Sequence, residues 1–233
     1  MKKILLLHGW NYMNYTKMTE KNDAWHNRKL FVEELEKNFD VYKLNFPGFC
    51  GEEEPKRAWD LTDFANYVYE YLKTNNLSVD YILGYSFGGA VAVFYNRMYD
   101  SNQKLILISP AIVRNQNKSK KFIQTPIFLQ PIRNLIRNFY IIKIIKNNEM
   151  VYGTKFLRDT YQNIVRIELI KDLESINPDL LKIIYGNDDS MVNPNLVMSK
   201  IKDEYKKCFK VIDGGGHDIA NTHTEELIKI IGK

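Results

Sequence analysis

The sequence predicts an α/β fold: a three-layer sandwich with a mainly parallel sheet of roughly six strands, and a helical cap inserted after the fourth strand. Two observations carry this. Short, nearly continuous apolar runs alternate with segments of helical period, and strands that are apolar along their whole length need helices over both sheet faces. Several of the runs also end in loops of turn-forming and reactive residues, among them Leu7-His8-Gly9-Trp10, Gly84-Tyr85-Ser86-Phe87-Gly88 and Gly186-Asn187-Asp188-Asp189. In an open α/β sheet such loops gather at the C-terminal strand edge, where ligands bind.

The elements follow in order. The start, Met1-Lys2-Lys3-Ile4-Leu5-Leu6-Leu7, briefly has the look of a signal peptide. Its apolar stretch is too short, and it runs into His8-Gly9-Trp10 with no small-residue cleavage site, so residues 3–7 are read as a first buried strand. Residues 11–25 are polar and aromatic without a period, a long loop. Leu30, Phe31, Glu34 and Leu35 have helical spacing within residues 28–38, residues 40–44 make a second strand, and Asn45-Phe46-Pro47-Gly48-Phe49-Cys50-Gly51 is turn-rich. Trp59, Phe64, Val68, Tyr71 and Leu72 mark an amphipathic helix over residues 61–73. A strand at 79–83, a helix at 87–98 and a strand at 105–108 come next.

The chain then changes character. Residues 111–155 are rich in Ile, Phe, Tyr, Asn, Lys and Arg, broken by Pro126 and Pro131, with helices expected at 135–146 and 160–171. The alternation resumes with a strand at 181–185, a helix at 196–204, a strand at 208–212 and a closing helix at 224–231. An insert of this length exceeds an ordinary connection, so residues 111–172 are expected to form a cap on a core made of 1–110 and 173–233.

Composition limits the function classes. With 233 residues and 45% apolar content, the chain suits one globular core. No apolar run is long enough to cross a bilayer, so no integral membrane association is expected. Cys50 and Cys208 are far apart and make no disulfide framework, which makes the cytoplasm the default location. The net charge of +5 is unevenly placed: residues 111–172 carry 12 basic and 4 acidic side chains, whereas residues 1–110 carry 13 and 14. That pattern argues for a chemically distinct insert and against a nucleic-acid binder, and Lys118-Ser119-Lys120-Lys121 is too short to claim nucleic acid or membrane. Monomer and homodimer both remain open.

The chemistry centres on Gly84-Tyr85-Ser86-Phe87-Gly88-Gly89. An apolar run passes directly into a small-residue helix, which gives the G-x-S-x-G match its meaning: the turn must be tight and strained, and Ser86 would project from the sheet edge. A plain glycine turn between a core strand and a core helix would look similar. A serine nucleophile also needs an imidazole to take its proton and an acid to hold that imidazole. Of His8, His26, His217 and His223, the one in a glycine-rich loop after a strand is His217; His26 lies beside the first helix and His223 near the last. Asp188 and Asp189 follow the preceding strand, and spacing does not choose between them; one is free to form an Asx turn while its neighbour orients the histidine. Asp213 ends the same strand as the histidine loop and ranks lower. No clustered metal-ligand pattern and no phosphate-loop lysine are present, so neither cofactor nor metal is expected.

In this ordered set, joined by Leu44-Asn45-Phe46-Pro47-Gly48-Phe49 and Gly186-Asn187-Asp188-Asp189-Ser190-Met191-Val192, the chain resembles the alpha/beta hydrolase superfamily, in its small, capped, serine-nucleophile form. The resemblance implies Ser86 as nucleophile, Asp189 as acid and His217 as base. It prefers Asp189 because the family's acid stands three residues after the glycine and three before the valine, here Gly186 and Val192. It implies an oxyanion hole from the backbone N–H groups of Trp10 and Phe87, with His8, Gly9, Gly84 and Gly88 in support. The sequence departs from the family at Cys50-Gly51-Glu52-Glu53-Glu54, and two leading antiparallel strands are missing. A serine nucleophile counts against dehalogenase and epoxide hydrolase chemistry, which the resemblance ties to an aspartate.

The expected partner is a small-molecule acyl substrate, an ester or thioester cleaved through an acyl-enzyme. C–C hydrolysis, lyase or iminopeptidase action at the same residues, and a non-catalytic binding role, are the alternatives. Phe122, Ile123, Ile127, Phe128 and Leu129, with Trp10, Tyr12 and Phe87, are candidates to line an apolar pocket, unless they pack the cap onto the core. The basic excess of the insert suits an anionic substrate or a solvated helical face alike. A peptide-N-terminus enzyme would instead need an acidic residue facing the pocket.

Overall fold

The computed structural model of the protein describes residues 1–113 and 147–232. Six strands form one sheet in the order β2-β1-β3-β4-β5-β6: β1 Lys2–Leu7, β2 Phe39–Leu44, β3 Tyr81–Tyr85, β4 Lys104–Ile108, β5 Leu181–Gly186 and β6 Phe209–Ile212. Every neighbouring pair is parallel. The helices are α1 Lys29–Glu36, α2 Leu61–Thr74, α3 Phe87–Tyr99, α4 Asn148–Tyr152, α5 Lys155–Ile164, α6 Ile170–Leu173, α7 Pro194–Lys200, α8 Asp203–Lys206, α9 Ile219–Thr222 and α10 Thr224–Ile231.

The period-two alternation of each strand divides the apolar side chains between two layers. Leu5 and Leu7 of β1, Ile82 of β3, Leu105 and Leu107 of β4 and Ile183 and Tyr185 of β5 pack with Phe64, Val68 and Leu72 of α2 and Val91 of α3. Ile4 and Leu6, Leu83, Ile106 and Ile108, Ile184 and Ile212 face the other way, onto Phe31 and Leu35 of α1 and Leu227 and Ile231 of α10. Burial on both faces is why these strands read as unbroken apolar runs. α2 starts sharply because Asp60 accepts from the N–H groups of Thr62 and Asp63 while the Asp63 carboxylate accepts from the Asp60 N–H, a reciprocal cap.

Three elements differ from expectation. β3 begins at Tyr81, where its register with Ile4 of β1 starts, two residues later than the apolar run suggests. The helix expected over 160–171 is two helices. Thr154 caps α5 early by accepting from Leu157 N–H at 3.2 Å, and beyond α5 the Leu169 N–H leaves the helical pattern to meet Ile112 O at 2.9 Å. The helix expected over 196–204 is likewise α7, capped by Asn193 with Pro194 at its first turn, and then α8. Between them Ile201 is extended and buried, and Lys202 N–H donates to Glu174 Oε1 at 2.7 Å.

The expected loop 11–25 contains a 3-10 turn at Tyr12–Asn14 and a bridge between Tyr15 and Phe49. The helix expected at 135–146, and the apolar residues Phe122, Ile123, Ile127, Phe128 and Leu129, lie outside the described residues. Among the described residues no helix is long and apolar enough to cross a membrane. Cys50 and Cys208 are both free and buried.

Candidate active site

The turn from β3 into α3 places Ser86 at φ 52° and ψ −110°, outside the comfortable regions for an L-residue. Such strain costs on the order of 1–3 kcal/mol and persists only where neighbours enforce it. Here they do: Ser86 N–H donates to Ile108 O at 2.8 Å, and Ser86 O accepts from the N–H groups of Gly89 and Ala111. The bend also demands absent side chains. A Cβ on Gly88 would stand 2.1 Å from Leu7 O, and one on Gly84 would stand 2.5 Å from Gly88 O. A Cβ on Gly9 would press on the Tyr85 ring at 2.9 Å, so the loop after β1 lies tight against the turn.

Ser86, His217 and Asp189 form one hydrogen-bonded chain across three loops. Ser86 Oγ lies 3.0 Å from His217 Nε2, and His217 Nδ1 lies 2.8 Å from Asp189 Oδ2. An ionised carboxylate can only accept, so Nδ1 carries the proton and Nε2 presents its lone pair to the Ser86 hydroxyl. The Asp189 side chain is fully buried. Burial opposes its charge, but the His217 ring and the backbone N–H groups of Val192 and Met191 outweigh that and hold its carboxyl below the usual range.

The two aspartates divide differently from expectation. Asp189 performs both tasks: Oδ2 meets His217, while Oδ1 makes the Asx turn by accepting from Met191 N–H at 2.9 Å and Val192 N–H at 2.8 Å. Asp188 is exposed, and its N–H donates to Gly215 O at 2.9 Å. Asp213 accepts from Asn187 at 3.4 Å, His26 meets Asp23 O at 2.7 Å and His223 meets Thr222 Oγ1 at 2.8 Å; none of them touches Ser86 or His217.

Trp10 and Phe87 flank Ser86. Phe87 is the first residue of α3, where no intrahelical acceptor exists for its N–H, and among the described residues the N–H groups of Trp10 and Phe87 are both uncommitted. His8 lies beneath this loop. Its Nε2 accepts from Phe46 N–H at 2.9 Å, which places its proton on Nδ1, facing Gly9 O at 2.8 Å. Burial pushes its pKa down to about 4, so His8 is a neutral brace.

A cavity of about 170 Å³ opens over Ser86 and His217. The core contributes Trp10, Leu61, Phe87, Ala90 and Val192; the segment after β4 contributes Val113, Glu149, Tyr161, Ile164, Val165, Ile167 and Leu169. Tyr12, expected in this lining, instead stacks on Tyr152 with ring centroids 5.1 Å apart. Glu149 was not legible as a site residue, because it lies in a segment that reads as basic and apolar. Its Oε2 accepts the Tyr15 hydroxyl at 3.0 Å, Tyr15 in turn accepts Trp10 Nε1–H at 2.7 Å, and burial raises the Glu149 pKa. Among the described residues no three His, Cys, Asp or Glu side chains gather as they would around a metal ion.

A parallel sheet whose strand ends carry a serine on a strained turn, a histidine and a buried aspartate defines a class. A family model for the alpha/beta hydrolase fold matches residues 2–132, and the chain belongs to that family. It is 24% identical over 236 residues to a provisionally named esterase/lipase 2 of Mycoplasma pneumoniae, a match covering 91% of this chain and 81% of that protein. It is 31% identical over 111 residues to a proline iminopeptidase of Flavobacterium johnsoniae, covering 46% of this chain and 34% of that one. Among solved structures, a bromoperoxidase from Bacillus anthracis superposes with a TM-score of 0.68 at 18% identity, over 100% of this chain and 92% of that chain. That likeness concerns the fold alone.

Proposed function

We propose that the protein is a serine hydrolase that cleaves a small carboxylic ester or thioester through an acyl-enzyme, with Ser86 as nucleophile, His217 as general base and Asp189 as the residue that orients it. The observation that carries this reading is the chain from Ser86 Oγ to His217 Nε2 at 3.0 Å and from His217 Nδ1 to Asp189 at 2.8 Å. His217 Nε2 takes the hydroxyl proton as Ser86 Oγ attacks the carbonyl carbon. The N–H groups of Trp10 and Phe87 receive the charge that develops on the carbonyl oxygen. His217 then returns the proton to the leaving alcohol or thiol, and the acyl group stays on Ser86. Water activated at the same nitrogen releases the acid.

Residues 111–172 act as the cap in this reading, supported by the side chains from Glu149 to Leu169 that line the cavity. The apolar lining beside Ser86 suits an acyl group, and the relation to the Mycoplasma esterase/lipase agrees with it. The test compares the wild type with Ser86→Ala on short- and medium-chain p-nitrophenyl esters. The alanine variant is expected to lose at least ~10³-fold in kcat/KM and to resist labelling by an organophosphonate. Equal rates would overturn the assignment.

One observation favours a second reading. Glu149 is the acidic residue that recognition of a peptide N-terminus would need, and the Flavobacterium relative is named a proline iminopeptidase. Release of p-nitroaniline from proline p-nitroanilide at a rate above ester cleavage would select it.

A further inference from the structure

Ser86 and His217 stand at the ends of β3 and β6, with β4 and β5 between them. Three steps of about 4.8 Å place those strands ~14 Å apart, so the histidine loop has to lean back across two strands to reach the serine. Asp189 holds it from the β5 side. On the other side stands a group with no part in the chemistry described above, Arg28, at the end of the 3-10 turn that precedes α1.

Arg28 is buried, with its side chain 10% exposed, and it does not line the cavity. Its Nε donates to Asp218 Oδ1 at 2.8 Å, and Asp218 directly follows His217. The second Asp218 oxygen accepts from Asn221 at 2.9 Å, so that carboxylate is committed on both sides. The guanidinium also lies over the ring of Tyr85, 4.4 Å from its centroid, and donates from Nη2 to the Tyr85 hydroxyl at 3.3 Å. Tyr85 directly precedes Ser86, and its hydroxyl donates to His217 O at 3.4 Å. One cation thus touches the residue before the serine and the residue after the histidine.

A guanidinium taken out of water is costly, and an ion pair of this kind returns little net stability compared with an apolar filling. What it supplies is geometry: a planar fork with fixed donor directions and a flat face for the ring. We propose that Arg28 is a positioning residue that locks the His217 loop to the Ser86 turn through Asp218 and Tyr85, and so sets the Ser86–His217 distance. It reaches no substrate, so its contribution falls on proton transfer and not on binding.

The assignment rests on Ser86 and His217 being nucleophile and base. The experiment measures kcat, KM and the rate of Ser86 labelling by an organophosphonate for the wild type, Arg28→Met, Arg28→Lys, Asp218→Leu and the double variant Arg28→Met/Asp218→Leu, with circular dichroism to verify folding. Arg28→Met is expected to lose ~10–100-fold in kcat and in labelling rate, with KM changed less than about twofold, because a displacement on the order of 1 Å between reacting groups costs that much. Arg28→Lys keeps the charge without the fork and is expected to recover only part of the loss. The double variant is expected to be no worse than the weaker single variant, since both remove one device. Should Arg28→Met fail to fold, the near-isosteric Asp218→Leu, which has no acceptor for Arg28, decides. Full kcat in a folded Asp218→Leu or Arg28→Met, a loss confined to KM, or losses that multiply in the double variant would each overturn the proposal. A wild type that neither takes the phosphonate nor cleaves esters would refute the underlying serine-hydrolase reading instead.

Discussion

The hydroxyl of Tyr15 donates to Glu149 Oε2 at 3.0 Å, joining the loop after β1 to the first described helix after β4, whose Glu149 lines the cavity. The same hydroxyl accepts Trp10 Nε1–H at 2.7 Å, so Trp10, which lines the cavity, is tied through its side chain to the segment that carries Glu149. Tyr15→Phe leaves the Trp10 and Glu149 groups without this partner and is expected to cost ~1–3 kcal/mol in urea unfolding at pH 7.

Glu149→Gln separates charge from hydrogen bonding at the same place. Burial raises the Glu149 pKa, so the folded state holds its proton to a higher pH than the unfolded chain does. Its contribution to stability is therefore best at low pH and diminishes as pH rises from the ordinary carboxylate range through the raised folded value. The glutamine still accepts from Tyr15 and does not titrate. The variant should be at least as stable as the wild type at pH 7.5, and a marked loss there would show that the charge itself is needed.

His8 titrates with the opposite sign. Its folded pKa of about 4 lies below the unfolded value of 6.5, so between those values the unfolded chain binds more protons. The stability it permits is complete above pH 6.5 and falls as the pH drops toward 4, by roughly 3 kcal/mol. His8→Gln retains an acceptor for the Phe46 N–H without the titration. Unfolding free energies of the two proteins at pH 7.5, 5.5 and about 4.5 should diverge in slope; parallel slopes would sink this account.

The two neighbouring aspartates should behave very unequally. Asp189→Asn keeps shape but loses the acceptor that fixes the His217 tautomer, and kcat is expected to fall ~10³–10⁴-fold. Asp188→Asn, on an exposed side chain, should stay within about twofold of the wild type. Steady-state ester hydrolysis on both variants reads the difference.

The histidine loop sits on β5 by close backbone contact. A Cβ on Gly186 would lie 2.1 Å from Gly215 O, whereas one on Gly216 would meet nothing within 4 Å. Gly186→Ala is expected to lose about 3 kcal/mol or more, because the obstructing atom is backbone and cannot rotate away. Gly216→Ala should melt within a few degrees of the wild type, and equal melting temperatures for the two variants would contradict the packing described.

How much was legible varies by residue. Ser86 and His217 stood out because a motif between a strand and a helix, and a histidine after a glycine run, are local patterns. Asp189 needed the family resemblance, since two adjacent aspartates share any spacing argument. The breaks between α5 and α6 and between α7 and α8 left no sequence signal, because distant partners cause them: Ile112 O for Leu169 N–H, and Glu174 for Lys202 N–H. Tyr12 has the composition of a pocket residue and is diverted by a stack with Tyr152.

By itself the sequence determined the layered α/β architecture, the strained turn at Ser86 and the family, because strand burial, glycine demand and residue order are properties of short stretches. The tertiary structure decided which side chains meet. Arg28 and Asp218 are 190 residues apart, and Tyr15 and Glu149 are 134 apart. No local pattern encodes such pairs; they arise where the parallel sheet brings the ends of β1, β3, β4 and β6 to one edge, and the cost of burying an unpaired polar group there favours such pairings.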